Sequence, residues 1–203
     1  MSTDTERAGG HRPLRADAAR NHRRIVEAAA SAFEELGADV PLEEIAHRAG
    51  LGVATLYRRF RTREQLVHAV FEHVFAAEIE PTVAAAGDPW TDLVGTLGRT
   101  VDTLAGHRVI LGLARKTAAL DVATVQRFGR DLQRLLDRAR GAGLVRPELT
   151  VRDLAAVMVM ALATAHPGDP SGDDRRRYLA LLVDGLRPGN PPLPAVGTCT
   201  AKP

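Results

Sequence analysis

Apolar residues recur every three or four positions along most of the chain, a spacing that places them on one face of an α-helix. The first such stripe lies in residues 16–36 and is followed by Gly37, a residue type that commonly ends a helix. Two shorter stripes occupy residues 42–49 and 53–60, separated by a turn that contains Gly50. No segment alternates apolar and polar residues as a strand does, so the pattern predicts three helices here.

The rest of the chain repeats the helical spacing, interrupted by residues that start and stop helices. Thr62 and Gln65 have the spacing of a capping box, and Asp88-Pro89 is typical of a helix start. Further helices are predicted approximately over residues 62–81, 89–106, 108–117, 121–140, 150–166 and 173–186. We therefore expect an all-α fold of about nine helices, with no strand and no internal repeat.

Residues 42–60 have the pattern of two short helices joined by a tight turn. They read Leu-Glu-Glu-Ile-Ala-His-Arg-Ala-Gly-Leu-Gly-Val-Ala-Thr-Leu-Tyr-Arg-Arg-Phe. Gly50 can adopt a positive φ at the turn, and Ala46 and Ala49 are small enough to let the two helices cross closely. This arrangement is typical of a helix-turn-helix, whose second helix enters the major groove of DNA.

Arginine is unevenly distributed near the N-terminus, although the whole chain has a formal net charge of only +2. Residues 12–24 contain five arginines and one aspartate, and residues 57–63 contain four arginines and no acid. Two such clusters of positive charge suit a surface that contacts DNA phosphates. Two solvated basic stretches would have the same composition, so charge alone leaves both interpretations open.

Residues 17–72 resemble the TetR family of bacterial transcriptional regulators. The resemblance rests on Ile-Ala-x-x-Ala-Gly-x-x-x-x-Thr-Leu-Tyr-x-x-Phe, from Ile45 to Phe60, and on the capped helix that follows, with a basic residue in its first turn. Beyond residue 72 only the number, length and order of the helices match. The resemblance implies an N-terminal three-helix DNA-binding domain and a C-terminal helical domain for ligand binding and dimerisation.

The predicted domain organisation follows from this resemblance and from composition. Residues 1–15 are expected to form a flexible basic arm, and residues 16–61 the helix-turn-helix DNA-binding domain. Residues 62–187 are expected to form the ligand-binding and dimerisation domain. Residues 188–203 are rich in proline and glycine and are expected to form a disordered tail.

The family pattern makes residues 53–60 the recognition helix and implies a set of residues that contact DNA. These are Val53, Ala54, Thr55, Tyr57, Arg58, Arg59, Arg63 and Arg24. The residues at the start of the helix would meet base edges, and the tyrosine would bind a phosphate. Arg63, at a position where the family usually has lysine, would bind a phosphate with the N-terminus of its helix. Arg24 would add backbone or minor-groove contacts.

Several of these roles have a simpler alternative. Tyr57 could pack between helices, and Arg58 and Arg59 could be merely solvated. The sequence also departs from the family at two positions. Gly52 replaces the usual Ser or Thr and is a weaker N-cap, and Val53 replaces a residue that is often polar or basic. Base recognition is therefore expected to depend more on apolar contacts and on the two arginines.

Residues 154–165 are apolar nearly all round, so the helix they form is expected to be buried on most of its faces. A single helix-turn-helix binds DNA weakly, and dimers read two half-sites about one helical turn, or a multiple of it, apart. With the last helix, this segment resembles the four-helix bundle through which the family dimerises. The predicted interface residues are Val157, Ala161, Tyr178, Leu182 and Leu186; an ordinary buried core helix is the alternative.

The resemblance also implies a pocket for a small organic ligand, of unknown identity, inside the C-terminal domain. The candidate lining residues are Phe71, Phe75, Trp90, His107, Phe128 and Met158. An ordinary core residue is the simpler interpretation of each of them. Aromatic residues make up only 4% of the chain, which argues against a large flat pocket lined by many rings.

The histidines do not predict a catalytic metal site. His68, Glu72 and His73 form His-x-x-x-Glu-His, which matches neither His-Glu-x-x-His nor His-x-x-Glu-His, so a surface ion pair is the simpler interpretation. The sequence shows no phosphate-binding glycine loop, serine elbow or paired catalytic carboxylates. We therefore expect no catalytic residue, no metal and no cofactor. An all-helical enzyme and a helical adaptor without DNA binding are the alternatives.

The remaining sequence features predict a cytoplasmic protein without a membrane partner. The single cysteine, Cys199, cannot form an internal disulfide, and the N-terminus lacks the pattern of a signal peptide. No apolar run reaches the roughly 18 residues that a membrane span requires. The expected function is a ligand-responsive repressor that binds a palindromic operator in double-stranded DNA as a homodimer. Ligand binding would separate the two recognition helices and release the operator.

Overall fold

A computed structural model describes residues 11–83, 87–117, 122–166, 168–189 and 191–194. Within these ranges the chain forms α-helices and no strand, which confirms the predicted all-α fold. The helices are α1 (His11–Leu36), α2 (Leu42–Arg48), α3 (Val53–Arg59), α4 (Arg63–Val74), α5 (Pro89–Gly106), α6 (Arg108–Lys116), α7 (Val122–Gly141), α8 (Val151–Ala163) and α9 (Asp173–Asp184). No helix in the described ranges is long and apolar enough to cross a membrane.

Two helix boundaries differ clearly from the prediction. Helix α1 begins at His11 rather than at residue 16, so part of the expected N-terminal arm is helical, and residues 1–10 lie outside the described part. Helix α4 ends at Val74, and a π-helical segment (Phe75–Ile79) and a 3-10 turn (Glu80–Thr82) continue the chain. The predicted N-cap of α4 is present, because the hydroxyl of Thr62 accepts a hydrogen bond from the backbone N–H of Gln65.

The chain divides into two compact units, which are described separately. Unit 1 comprises Met1–Glu80 and Gly106–Val125, and unit 2 comprises Pro81–Ala105 and Gln126–Pro203. Unit 1 therefore contains α4 and α6 in addition to the predicted helix-turn-helix domain. The functional boundary after residue 61 stays a prediction, because these units are defined by packing alone.

The core of unit 1 is formed where α1 packs against α2, α4 and α6. The apolar stripe of α1 supplies Ile25, Ala29 and Phe33, all fully buried. Helix α1 ends at Gly37, whose φ of +92° breaks the helix while its N–H still donates to the carbonyl oxygen of Phe33 at 3.0 Å. These contacts hold the short helices α2 and α3 against a long and well-packed support.

Unit 2 is centred on the packing of α8 against α9. Helix α8 starts as predicted, because the Asp153 carboxylate accepts the backbone N–H of Thr150 at 2.7 Å. The buried Arg146 guanidinium donates to the carbonyl oxygens of Gly185 at 2.9 Å and Pro191 at 2.7 Å. Residues 191–194, which were expected to be disordered, are therefore tied to unit 2 by side-chain hydrogen bonds. Residues 195–203 lie outside the described part.

Candidate nucleic-acid interface

The turn between α2 and α3 has the geometry that the sequence predicted. Gly50 has a φ of +62°, which confirms the expected positive φ, and its N–H donates to the carbonyl oxygen of His47 at 2.9 Å. A Cβ atom added at Gly50 would lie 2.6 Å from the guanidinium of Arg24. That guanidinium also lies 3.3 Å from the Gly50 carbonyl oxygen, so Arg24 links α1 to the turn. The turn thus fixes the direction in which α3 leaves α2.

Helix α3 buries one side and exposes the other. Leu56 and Phe60 are buried in unit 1, which anchors the helix. The side chains on the opposite side are exposed or half-buried: Val53, Ala54, Thr55, Tyr57, Arg58 and Arg59. Tyr57 is 47% exposed, which disfavours the alternative that it packs between helices. Six of the eight residues predicted to contact DNA are therefore accessible on α3, and we call this set of side chains the α3 face.

The cap of α3 is as weak as its sequence indicated. Gly52 occupies the N-cap position with an extended backbone, and no side chain there accepts a hydrogen bond. Pro41 occupies the same position in α2, again without a side-chain cap. The stability of both short helices therefore depends on tertiary packing rather than on local capping. The side chains of Arg12 and Arg15, from the first basic cluster, lie outside the described part.

A cleft between α1 and α3 brings several polar side chains together beside the α3 face. Its cavity measures about 180 Å³ and is lined by residues that include Asn21, His22, Thr55, Arg58 and Arg59. The Nε–H of Arg59 donates to Nδ1 of His22 at 3.1 Å. The imidazole ring of His22 also packs on Phe60, with 5.3 Å between ring centroids. Sequence spacing did not single out His22, because the two partners lie 37 residues apart.

The environment of His22 lowers its pKa below the usual value for histidine. Burial is the main cause, because it disfavours the charged imidazolium, and repulsion from Arg59 and His73 adds to it. The neutral ring is also the form that can accept a hydrogen bond at Nδ1. The contact with Arg59 is therefore compatible with neutral pH.

We predict that acidification destabilises unit 1 partly through His22. Since the pKa is lowered in the folded state, the stabilisation is fully present above the unfolded pKa of about 6.5. It is lost as the pH falls through the lower folded pKa. His22→Asn should therefore lose less stability between pH 7.5 and 5 than the wild type, as measured by urea unfolding. The same substitution at exposed His47 is the matched control, and an equal acid effect in both variants would contradict the prediction.

Arg63 is placed differently from its expected role as a phosphate ligand. Its guanidinium donates to the carbonyl oxygens of Val40, at 2.9 Å, and of Ala38. It also lies over the ring of Phe33, 5.3 Å from the centroid. The side chain is partly buried between α4 and the α1–α2 connection. Its hydrogen bonds are made within unit 1, so Arg63 links α4 to the α1–α2 connection and stabilises the helices that support the helix-turn-helix.

Comparisons with known proteins agree with this geometry. Residues 25–70 match the family described as bacterial regulatory proteins, tetR family, and residues 88–188 match the transcriptional regulator SbtR-like, C-terminal domain. A helix-turn-helix-type transcriptional regulator of Mycobacterium tuberculosis is 31% identical over 155 residues, which cover 72% of this chain and 80% of that protein. The chain belongs to the TetR family. It is a transcriptional regulator with a DNA-binding helix-turn-helix.

Solved structures of TetR-family regulators share the fold. One from Streptomyces coelicolor is 30% identical with a TM-score of 0.62, and the match covers 83% of this chain and 99% of that one. One from Mycobacterium vanbaalenii is 31% identical with the same TM-score, and the match covers 86% and 99%. The likeness thus extends over nearly the whole length of both relatives.

The ligand-pocket candidates of this TetR-family chain lie in both units. In unit 1, Phe71 and Phe75 form a ring pair with centroids 5.8 Å apart. His107 Nε2 lies 3.0 Å from the Glu78 carboxylate, while its Nδ1 is buried and has no hydrogen-bond partner among the described residues. In unit 2, Trp90 stacks under Arg187 at 4.1 Å, and two further candidates are buried: Phe128 and Met158.

The candidate interface residues of this TetR-family chain separate into two groups. Three are buried within the chain itself and are unavailable to a partner: Val157, Ala161 and Leu186. Tyr178 is exposed and Leu182 is half-buried. The large apolar side chains of α8 and α9 that are exposed are instead Val159, Met160, Tyr178 and Leu181, which we call the α8–α9 patch. Sequence periodicity missed Val159 and Met160 because α8 has no polar face to mark its solvent side, and it also missed Leu181 of α9.

The histidine-rich stretch of α4 shows a surface pair. His68 Nδ1 lies 3.4 Å from the Glu72 carboxylate, and both side chains are more than 40% exposed. No group of three metal-ligating side chains occurs in the described ranges. The geometry agrees with the simpler interpretation of a surface ion pair.

Proposed function

We propose that this TetR-family regulator is a ligand-responsive repressor that binds a palindromic operator as a homodimer. The observation that carries the proposal is the α3 face, in which small apolar, hydroxyl and guanidinium groups project from one short helix. Small apolar groups suit contact with thymine methyl groups, and arginines suit guanine edges and phosphates. Since bacterial DNA lies in the cytoplasm, the proposed partner implies a cytoplasmic location.

The α8–α9 patch supports the homodimer. Its four side chains are large and apolar, and Leu181 is 65% exposed in the single chain. Exposed clusters of this kind mark protein interfaces, because burying them removes apolar surface from water. A two-fold dimer would bring the same patch of both copies together and present two recognition helices to two half-sites.

Contacts of α6 support the response to a ligand. The Glu34 carboxylate of α1 accepts the backbone N–H groups of Val109, at 3.2 Å, and Ile110, at 3.0 Å. The N-terminus of α6 is thereby attached to the long helix of the DNA-binding region. His107 precedes α6 directly, and its Nδ1, which has no hydrogen-bond partner in the described part of the chain, would gain one from a polar ligand atom. Ligand binding at this position would act on α1 through Glu34.

The proposal is tested by mobility shift with the DNA that flanks the gene, over a series of salt concentrations. We expect a specific dimer complex whose affinity falls steeply with salt. Arg58→Ala should weaken binding and reduce the slope of log K against log salt by about one. Arg152→Ala, at an exposed arginine of α8, is the matched control and should leave both unchanged. A helical adaptor would show no salt-sensitive duplex binding, and that outcome would reject the proposal.

A further inference from the structure

Arg59 is the one arginine of the α3 face that the structure ties to another helix by a side-chain hydrogen bond, within the described ranges. Its Nε–H is used by His22 Nδ1 of α1, which leaves the terminal nitrogens Nη1 and Nη2 with their four N–H donors. A free arginine side chain has about 2 kcal/mol of rotamer entropy to lose on binding. A bond at Nε removes part of that freedom in advance, so the remaining donors are oriented before DNA arrives.

His22 is itself held in place. Its ring packs on Phe60, which is buried and ends α3. The charged or titratable groups that face it are Arg58 and Arg59 from α3 and His73 from α4. Arg59 and His73 favour the neutral ring, because positive charge near the imidazole disfavours its protonated form. The neutral ring can keep its Nδ1 lone pair directed at Arg59.

We propose that His22 is a positioning residue for DNA binding. It orients Arg59 so that the terminal nitrogens of Arg59 bind one DNA phosphate at the mouth of the α1–α3 cleft. The inference rests on the proposed DNA-binding function and adds a residue of α1 to it. Arg58 has no side-chain hydrogen-bond partner in the described ranges, so its guanidinium is not oriented before DNA binds. The two neighbouring arginines of α3 thus differ: Arg59 is preorganised and Arg58 adapts to the DNA that it meets.

The test compares two amides at position 22. In His22→Asn, the Oδ1 atom takes nearly the place of Nδ1 and keeps an acceptor for Arg59. In His22→Gln, the Oε1 atom takes nearly the place of Nε2, so the acceptor is moved away. The probe is the duplex that the wild-type protein selects from a random-sequence library, and the readouts are affinity and its salt slope.

We expect His22→Asn to bind like the wild type and His22→Gln to bind about fivefold to tenfold more weakly. Arg59→Gln should reduce the salt slope by about one. The double variant of His22→Gln with Arg59→Gln should bind no more weakly than Arg59→Gln alone, because His22 acts only through Arg59. If His22 had only a structural role, the losses of affinity caused by His22→Gln and Arg59→Gln would add in the double variant. His22→Gln would then also lower the unfolding temperature.

The outcomes separate the inference from the function on which it rests. Failure to select any duplex would overturn the proposed function and this inference with it. A selected duplex that wild type, His22→Asn and His22→Gln bind equally would overturn the inference alone. Additive losses in the double variant would also overturn it.

Discussion

Leu181→Glu is expected to convert the protein from a dimer into a monomer and to weaken operator binding by about a hundredfold or more. Leu181 is the most exposed side chain of the α8–α9 patch. Two-fold symmetry places every interface residue twice, so one substitution would put two carboxylates into an apolar contact, where unpaired charge costs several kcal/mol. Loss of the dimer removes the second half-site, and linked binding of two sites is typically worth a factor of about 10² to 10⁴.

The oligomeric state is measured by analytical ultracentrifugation and operator affinity by mobility shift. Val125→Glu is the matched control, because Val125 is also an exposed aliphatic side chain on a helix but lies outside the patch. It should remain dimeric and bind the operator normally. A Leu181→Glu protein that stayed dimeric at micromolar concentration would show that another surface forms the dimer.

Arg63→Met is expected to lower the free energy of unfolding by about 3 kcal/mol while leaving the salt slope of DNA binding unchanged. The substitution removes two charge-assisted hydrogen bonds to the carbonyl oxygens of Ala38 and Val40 and the stacking on Phe33. Hydrogen bonds to charged groups contribute about 1.5–3 kcal/mol each, and part of that is recovered when water reaches the freed carbonyls. The cation–π contact adds about 0.5–1 kcal/mol.

Urea unfolding gives the stability, and a salt series of mobility shifts gives the slope. Arg61→Met is the matched control, because Arg61 is an exposed neighbour whose replacement should change stability by less than about 0.5 kcal/mol. If Arg63→Met instead kept its stability and lost about one unit of salt slope, Arg63 would be the phosphate ligand that the family pattern implied.

The helix-turn-helix could be predicted from sequence because its signals are local. The positive φ of Gly50, the burial of Leu56 and the exposure of Tyr57 all follow from residue type and helical spacing within about 20 residues. The number of helices follows in the same way from periodicity and from caps such as that of Thr150. Stretches that carry their own start, stop and apolar stripe need no knowledge of the rest of the chain.

The contacts that sequence reasoning missed join residues far apart in the chain. Arg63 bonds carbonyls 23 and 25 positions earlier, and Arg59 bonds a histidine 37 positions earlier. Such pairs form only when α1, α3 and α4 pack together, so no local sequence pattern predicts them. The inner and outer faces of α8 could not be separated either, because its residues are apolar nearly all round. Only packing against α9 determines which side is left for a partner.

Arg63, Arg146 and Glu34 share one property: each forms hydrogen bonds with main-chain atoms of another segment of the chain. Every residue type except proline carries the same backbone N–H and C=O groups, so a change of side chain at a partner position does not by itself remove the bond. Substitution of the charged residue removes the hydrogen bond, whereas substitution of the residue that it binds leaves the backbone group in place. For these bonds, tolerance to mutation should therefore be asymmetric: the three charged residues must be kept, whereas the residues that they bind are constrained only by their own packing.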